Sequence, residues 1–159
     1  MAKLVKPSIE FIQGLPEDMY ESFQPEQNNL LIIDNLMSEA GDDKRLTDLF
    51  TKGSHHSNLS IIYILQNIFP KGKESRTISL NAHYMFLFKN PRDPSQINAL
   101  GRQLYPQNPK CLGEAYHEAT KEPHSYLLID LKQRTPEALR LRSGLLPFEK
   151  CIVYVPRHV

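Results

Sequence analysis

Hydrophobic and polar positions along this chain fall into short blocks that predict strands alternating with helices. Seven blocks are rich in apolar residues: 8–12, 30–34, 59–66, 83–90, 125–131, 138–142 and 151–156. The blocks LLIID, LSIIYILQ and HYMFLFKN are almost continuously apolar, which is typical of strands covered on both faces. Blocks 125–131 and 138–142 flank the polar segment KQRTPE, so they predict a β-hairpin.

Helical periodicity predicts three helices, at 42–53, 93–105 and 109–122. In the first, Leu46, Leu49 and Phe50 recur at the spacing of one helix face. The second opens with Asp93 as a helix N-cap and Pro94 at the first helical position, which is a strong start signal.

Strands and helices in this order predict an α/β fold with a mostly parallel sheet and a C-terminal β-hairpin. A length of 159 residues predicts a single domain over 1–159. Ligands bind such sheets at the carboxyl ends of the strands. The polar residues at those ends are therefore candidate site residues: Asp34 and Asn35, Gln66 and Asn67, and Lys89 and Asn90.

Composition narrows the class of protein. Hydrophobic residues make up 40% of the chain and charged residues 23%, which is typical of a globular protein. No apolar run approaches the ~20 residues of a membrane span, and the N-terminus lacks the apolar core of a signal peptide. We therefore expect an intracellular protein that is not secreted. Cys111 and Cys151 are far apart without a C-x-x-C pattern, which argues against a disulfide scaffold.

Charge is distributed unevenly along the chain. Residues 1–80 carry 8 Lys/Arg and 11 Asp/Glu, a net −3, whereas residues 81–159 carry 11 and 7, a net +4. The basic half could face phosphates. Ordinary variation of surface charge is the alternative interpretation.

An aspartate at the tip of a buried strand is costly unless a function uses it. In phosphoryl-transfer enzymes such an aspartate holds Mg²⁺ beside bound phosphates, and a polar residue ending the neighbouring strand senses the γ-phosphate. Asp34 and Gln66 occupy these two positions in the predicted sheet. The competing interpretation is that Asp34 only caps the next helix and Gln66 only caps a strand.

The segments LFTKGSHHSNLS, YILQN and FKNPRDPSQI resemble the DNA-packaging ATPase of Polinton/Maverick-type mobile elements and related viruses. That family belongs to the FtsK–HerA superfamily of P-loop NTPases, together with the poxvirus packaging ATPases. The resemblance runs from about Ile9 to YVP at 154–156. It implies an ASCE/RecA-like three-layer sandwich that uses ATP and Mg²⁺ to pump double-stranded DNA.

The resemblance also implies binding partners and a subcellular location. Members of the family are expected to form a homo-oligomeric ring at a viral capsid portal, with no membrane association. The compartment would be the nucleus, a cytoplasmic virus factory or the virion.

Residue roles follow from the resemblance position by position. Asp34 resembles the Walker B aspartate that holds magnesium through water, and Asn35 stands where relatives have a second acid. Gln66 resembles the glutamine sensor. Arg92 lies where the superfamily can place an arginine finger that reaches a neighbouring subunit's ATP, with Arg102 as the second choice. For either arginine, a solvated or structural role is the alternative.

The chain departs from the family pattern in two ways. It contains no G-x-x-x-x-G-K-[ST] motif, and FPKGKES at 69–75 has neither the spacing nor the preceding strand. In relatives the phosphate loop lies upstream of the FIQGLP-like segment, so it would precede Met1. Asn35 cannot accept a proton as the usual acid does, and Glu39 is the nearest substitute.

We therefore expect a fragment that carries the Walker B and sensor strands and is inactive alone. The alternative is a non-catalytic remnant that assembles with or regulates an intact ATPase.

Three other features are weaker candidates. The SHHS segment at 54–57 has histidines whose side chains diverge on an extended chain, so we expect a loop contact rather than a metal site. We interpret Cys111 as a small buried hydrophobe. In the RLR of 140–142 the arginines are expected on the solvent face of an amphipathic strand, with contact to the DNA backbone as a second possibility.

Overall fold

The structure is a computed structural model that describes residues 9–16, 23–24, 26–34, 43–53 and 58–156. Six strands are described: β1 (Asn29–Asp34), β2 (Leu59–Ile64), β3 (Tyr84–Phe88), β4 (Tyr126–Asp130), β5 (Leu141–Ser143) and β6 (Ile152–Tyr154). The α-helices are α1 (Lys44–Asp48), which continues as a π-helical turn over Leu49–Gly53, α2 (Ser75–Asn81), α3 (Ser95–Leu104) and α4 (Lys110–Ala119). A 3₁₀ turn covers Glu137–Leu139.

The first two strands form a parallel pair. β1 and β2 are in register from Asn29 opposite Leu59 to Asp34 opposite Ile64. Helices α1 and α2 cover one face of this pair, and Leu46, Leu49 and Ile78 pack there against Ile33 and Leu59. The predicted helix at 42–53 is confirmed, whereas α2 was not predicted from the sequence.

The second sheet is antiparallel and has the strand order β3-β4-β5-β6. All five residues of β4 are buried. Helices α3 and α4 pack on one face of this sheet, and the apolar cluster between them includes Leu127 and Ile129 of β4. The buried cluster includes Leu87, Leu100, Leu112, Leu127 and Leu141. The predicted hairpin of 125–131 and 138–142 is confirmed, since β4 pairs antiparallel with β5.

The prediction of one mostly parallel sheet is wrong. β3 does not join β1 and β2, but pairs antiparallel with β4 from Tyr84 opposite Asp130 to Phe88 opposite Tyr126. The molecule is a mixed α/β protein with a parallel two-stranded sheet and an antiparallel four-stranded sheet. The apolar composition of a run predicts a buried strand, but it does not specify the partner or the direction of pairing.

The prediction that β1 and β2 are covered on both faces is also wrong in this structure. Burial alternates along both strands, and the face opposite α1 and α2 exposes between 47% and 57% of four apolar side chains, those of Leu30, Ile32, Ile62 and Ile64. We call this surface the open face.

The prediction of a strand at 8–12 is wrong for residues 9–12, which are the described part of that segment. Residues 9–12 adopt no strand, and Ile9, Phe11 and Ile12 are all exposed. None of the helices that the structure describes is long and apolar enough to cross a membrane.

Candidate functional site

The parallel pair brings two of the predicted site residues to one edge of the sheet. β1 ends at Asp34, which lies opposite Ile64, the last residue of β2. Gln66 follows two residues later, and the side chains of Asp34 and Gln66 are both exposed. Since parallel strands end at the same edge, both side chains lie at the edge of the sheet where ligands usually bind.

The carboxylate of Asp34 makes no hydrogen bond or ion pair with the residues that the structure describes. In the described ranges no three acidic, histidine or cysteine side chains cluster closely enough to hold a metal ion. Mg²⁺ commonly keeps several waters and takes only one or two protein carboxylates when phosphates supply the other ligands. Asp34 is therefore a single exposed carboxylate at this edge, without a second metal-ligating side chain clustered beside it among the described residues.

Several predicted positions lie outside the described residues. They are Asn35, the proposed substitute Glu39, and the two histidines of the SHHS segment. Their sequence-based roles therefore remain predictions.

The segment after β2 is tied to the start of α3. The backbone N–H of Ile68 donates to Oε1 of Gln96 at 2.7 Å. The side-chain amide of Gln96 in turn donates to Oδ2 of Asp93 at 2.8 Å. This relay connects the loop that carries Gln66 to the loop that carries Arg92. Sequence reasoning missed Gln96, because a contact across 28 residues leaves no local pattern.

Arg92 lies at the surface without a side-chain partner among the described residues. Its side chain is exposed, and its guanidinium makes no hydrogen bond or ion pair with described residues, whereas its backbone N–H donates to Oδ1 of Asn90 at 3.0 Å. Asp93 does not pair with it. Instead Asp93 accepts hydrogen bonds from Ser95 and Gln96.

Asp93 caps α3, as the sequence predicts. The backbone N–H of Ser95 donates to its Oδ1 at 3.2 Å, and Pro94 has helical dihedral angles. The hydrogen bonds from Ser95, and then from Gln96, lower the pKa of the Asp93 carboxyl. Arg102 is exposed farther along the same helix.

The end of β3 is held by a tyrosine of α4. Tyr116 Oη donates to the carbonyl of Phe88 at 3.0 Å and accepts from the backbone N–H of Asn90 at 2.8 Å. The third predicted strand end thus belongs to the antiparallel sheet, not to the edge formed by Asp34 and Gln66. Lys89 is exposed there.

The prediction that the arginines of the RLR segment face solvent is wrong. Arg142 donates to Oδ2 of Asp130 at 2.6 Å, and Arg140 donates to the carbonyls of Asp130 and Lys132. Arg140 also pairs with Glu137 at 2.7 Å. Both guanidinium groups therefore stabilise the turn between β4 and β5.

Cys111 is buried, as predicted, and burial raises the pKa of its thiol. A cavity of about 290 Å³ lies nearby, lined by Leu104, Tyr105, Ile129, Leu131, Glu137 and Arg140. Burial raises the pKa of Tyr105 to about 12, so this phenol stays protonated. The two charged residues of the lining pair with each other, and none of the predicted site residues lines this cavity.

Comparisons of the chain with protein-family models, curated proteins and solved structures find no match.

Proposed function

We propose that this chain is the part of an ATP-driven DNA-translocating ATPase, of the DNA-packaging kind, that carries the magnesium aspartate and the glutamine sensor. The observation that carries the proposal is the parallel register of β1 and β2, which ends both strands at one edge with Asp34 and Gln66 exposed there. In a P-loop NTPase of the ASCE/RecA-like type, these strands would be the Walker B and sensor strands.

Asp34 would bind a water molecule of a phosphate-bound Mg²⁺. Its carboxylate suits this role because no described residue occupies it. The ion, when bound, would neutralise charge that develops on the transferred phosphoryl group. Gln66 would donate its amide N–H to a γ-phosphate oxygen, and Asn35 would orient the attacking water without accepting its proton.

Arg92 would act on the ATP of a neighbouring subunit in a homo-oligomeric ring. A guanidinium suits this task because it stays charged and can bind two phosphate oxygens at once. The Ile68–Gln96–Asp93 relay would couple the position of the Arg92 loop to that of the Gln66 loop. The net +4 charge of residues 81–159 supports double-stranded DNA as the cargo of such a ring at a capsid portal.

Fusion of a strand–GxxxxGK[ST]–helix segment to the N-terminus tests the proposal. The fused protein should bind a non-hydrolysable ATP analogue in a magnesium-dependent manner, and Asp34→Ala should remove the magnesium dependence. Turnover should be slow, and Asn35→Asp should raise kcat by about 10²–10⁴-fold because it supplies a general base.

Two controls make the result interpretable. Glu39→Gln identifies whether that acid already serves as base, in which case Asn35→Asp leaves kcat unchanged and Glu39→Gln lowers it. Magnesium-dependent binding that survives Asp34→Ala contradicts the assignment of β1 as the Walker B strand.

The second candidate function is a non-catalytic partner of an intact ATPase. The open face favours it, since four half-exposed apolar side chains on a sheet are typical of a surface that another protein covers. Titration of the chain into an intact packaging ATPase should then change its turnover, and Ile62→Lys should abolish that effect. An unchanged turnover contradicts this alternative.

A further inference from the structure

The loop between β5 and β6, residues 144–150, is held in one conformation by hydrogen bonds. We call it the tip loop. Tyr126 Oη accepts from the backbone N–H of Leu145 at 2.8 Å and donates to Oε2 of Glu149 at 2.9 Å. The same carboxylate oxygen accepts from the backbone N–H of Leu146 at 2.9 Å. A buried phenol and a carboxylate thus organise a loop at the surface.

The first residue of the tip loop, Gly144, lies very close to the backbone at the end of the same loop. Gly144 has φ +70°, and a Cβ there would lie 2.1 Å from the carbonyl oxygen of Lys150. Only glycine fits this close approach. Phe148 also has a positive φ, 77°, a backbone conformation that is unfavourable for a bulky residue. Strained conformations of this kind are concentrated at functional sites.

This organised loop presents apolar side chains to water. Phe148 is completely exposed, and more than half of Leu145 and Leu146 is exposed. The hydrogen bonds that shape the loop do not bury these side chains, so the loop is not stabilised by their packing. A fixed, exposed apolar group of this kind indicates a contact surface.

Apolar side chains are also exposed along β6 and directly after it. Ile152, Val153 and Val155 are exposed, and residues 151–155, CIVYV, carry no charge. β6 is the last strand of its sheet and pairs only with β5 among the described strands. Edge strands are usually protected by short length, a charge, a proline or a covering segment. β6 is short, with three residues, and Pro156 follows it, but residues 151–155 carry no charge and no other described strand pairs with this edge.

We propose that two copies of this chain associate through their β6 edges, antiparallel and about a two-fold axis near Val153. The pairing would extend each four-stranded sheet into one of eight strands. In an antiparallel pair the tip loop of one copy lies beside the residues that follow β6 in the other. Exposed tip-loop side chains would then pack on Val155 of the second copy.

The exposed area suits such a pair. At on the order of 150 Å² for a complete side chain, the exposed parts of the six apolar side chains amount to roughly 500 Å² in each copy. Complete burial of these side chains in two copies would remove on the order of 1,000 Å² from water, which is an upper bound and lies where specific interfaces begin. An edge without charges is self-complementary, so a second copy supplies both the strand and the apolar surface. This inference is independent of the proposed ATPase role.

Sedimentation velocity of the unmodified chain from about 1 to 100 µM tests the inference. A dimer should form within this range, and Val153→Lys should weaken it by at least about tenfold because two lysines then meet at the axis. Leu80→Lys on α2 is the matched control, since Leu80 is 75% exposed on another element. It should leave the dimer unchanged.

Hydrogen exchange provides a readout that needs no variant. The backbone amides of residues 152–155 should exchange more slowly at 100 µM than at 1 µM, while those of α2 should not change. If Val153→Lys does not fold, Val155→Lys replaces it with the same expectation. A monomer at all concentrations, an oligomer that resists both lysine variants, or one that only Ile62→Lys disrupts overturns the inference.

Discussion

Asp130 and Arg142 form the most buried ion pair among the described residues. Asp130 is 4% exposed, and Nε of Arg142 is buried without a hydrogen-bond partner. Removal of one charge would leave the other group buried and less well paired. Because the Arg142 side chain keeps about a quarter of its surface exposed, we expect Asp130→Asn to cost about 2 kcal/mol of unfolding free energy at pH 7. Urea denaturation of the wild type and of Asp130→Asn measures this difference in unfolding free energy.

The same carboxylate predicts an acid dependence of stability. Burial raises the pKa of Asp130, but hydrogen bonds from Thr135 and Lys132 and the charge of Arg142 outweigh it, so the pKa lies below its ordinary value. This stabilisation is complete above the unfolded pKa of about 3.9 and is lost as pH falls through the folded value. Below about pH 4 the stability of wild type should therefore approach that of Asp130→Asn. A constant difference between the two proteins down to pH 2 would contradict the assignment.

Arg92 and Asp93 are adjacent, but we expect alanine substitutions at the two positions to affect the melting temperature differently. Arg92→Ala should leave the melting temperature unchanged, because its guanidinium contacts no described residue. Asp93→Ala should lower it, because the variant loses the cap of α3 and the bond from Gln96. Differential scanning calorimetry compares the two. A lowered melting temperature for Arg92→Ala would indicate a structural role and weaken its assignment as an intersubunit arginine.

At the level of elements, α3 and α4 approach each other closely at Gly101. A Cβ on Gly101 would lie 2.5 Å from the carbonyl oxygen of Pro109, a backbone atom that cannot rotate away. We expect Gly101→Ala to cost about 1–3 kcal/mol through overpacking. Gly113→Ala on α4 is the control, since its nearest atom is 4.0 Å away, and it should stabilise by about 0.5–1 kcal/mol. Chemical denaturation that ranks the two variants in the opposite order would contradict this helix packing.

The two sheets differ in how well local patterns predict them. Continuous apolar runs located β1, β2 and β3, and the hairpin of β4 and β5 followed from the polar segment between them. The pairing of β3 with β4 could not be predicted from the sequence. The first residues of the two strands, Tyr84 and Tyr126, are 42 positions apart, and an apolar run can pair in either direction. Helix α2 carries Ile78 as its only buried large apolar residue, too little for a recognisable period.

At the level of the whole molecule, the sequence of 159 residues lacks a phosphate-binding loop. Most phosphate binding in P-loop ATPases comes from the backbone N–H groups and lysine of that loop. We therefore expect no useful affinity of this chain for ATP·Mg²⁺. Isothermal titration with a non-hydrolysable analogue tests this, and a micromolar Kd that Asp34→Ala weakens would show that the edge binds nucleotide without the loop.

Local sequence determined the features that depend on neighbouring residues. The apolar runs, the cap of α3 by Asp93, the buried character of Cys111 and the polar ends of β1 and β2 all follow from side chains a few positions apart. Hydrophobic periodicity and capping are local interactions, so the printed sequence contains their signal.

Tertiary structure decided which distant groups meet. It paired Arg142 with Asp130, joined Ile68 to Gln96, separated β3 from the parallel pair, and left the open face and the β6 edge exposed. Each of these depends on chain segments that are brought together only by packing. A charge or an apolar run has many partners compatible with its local sequence, and the global arrangement selects among them.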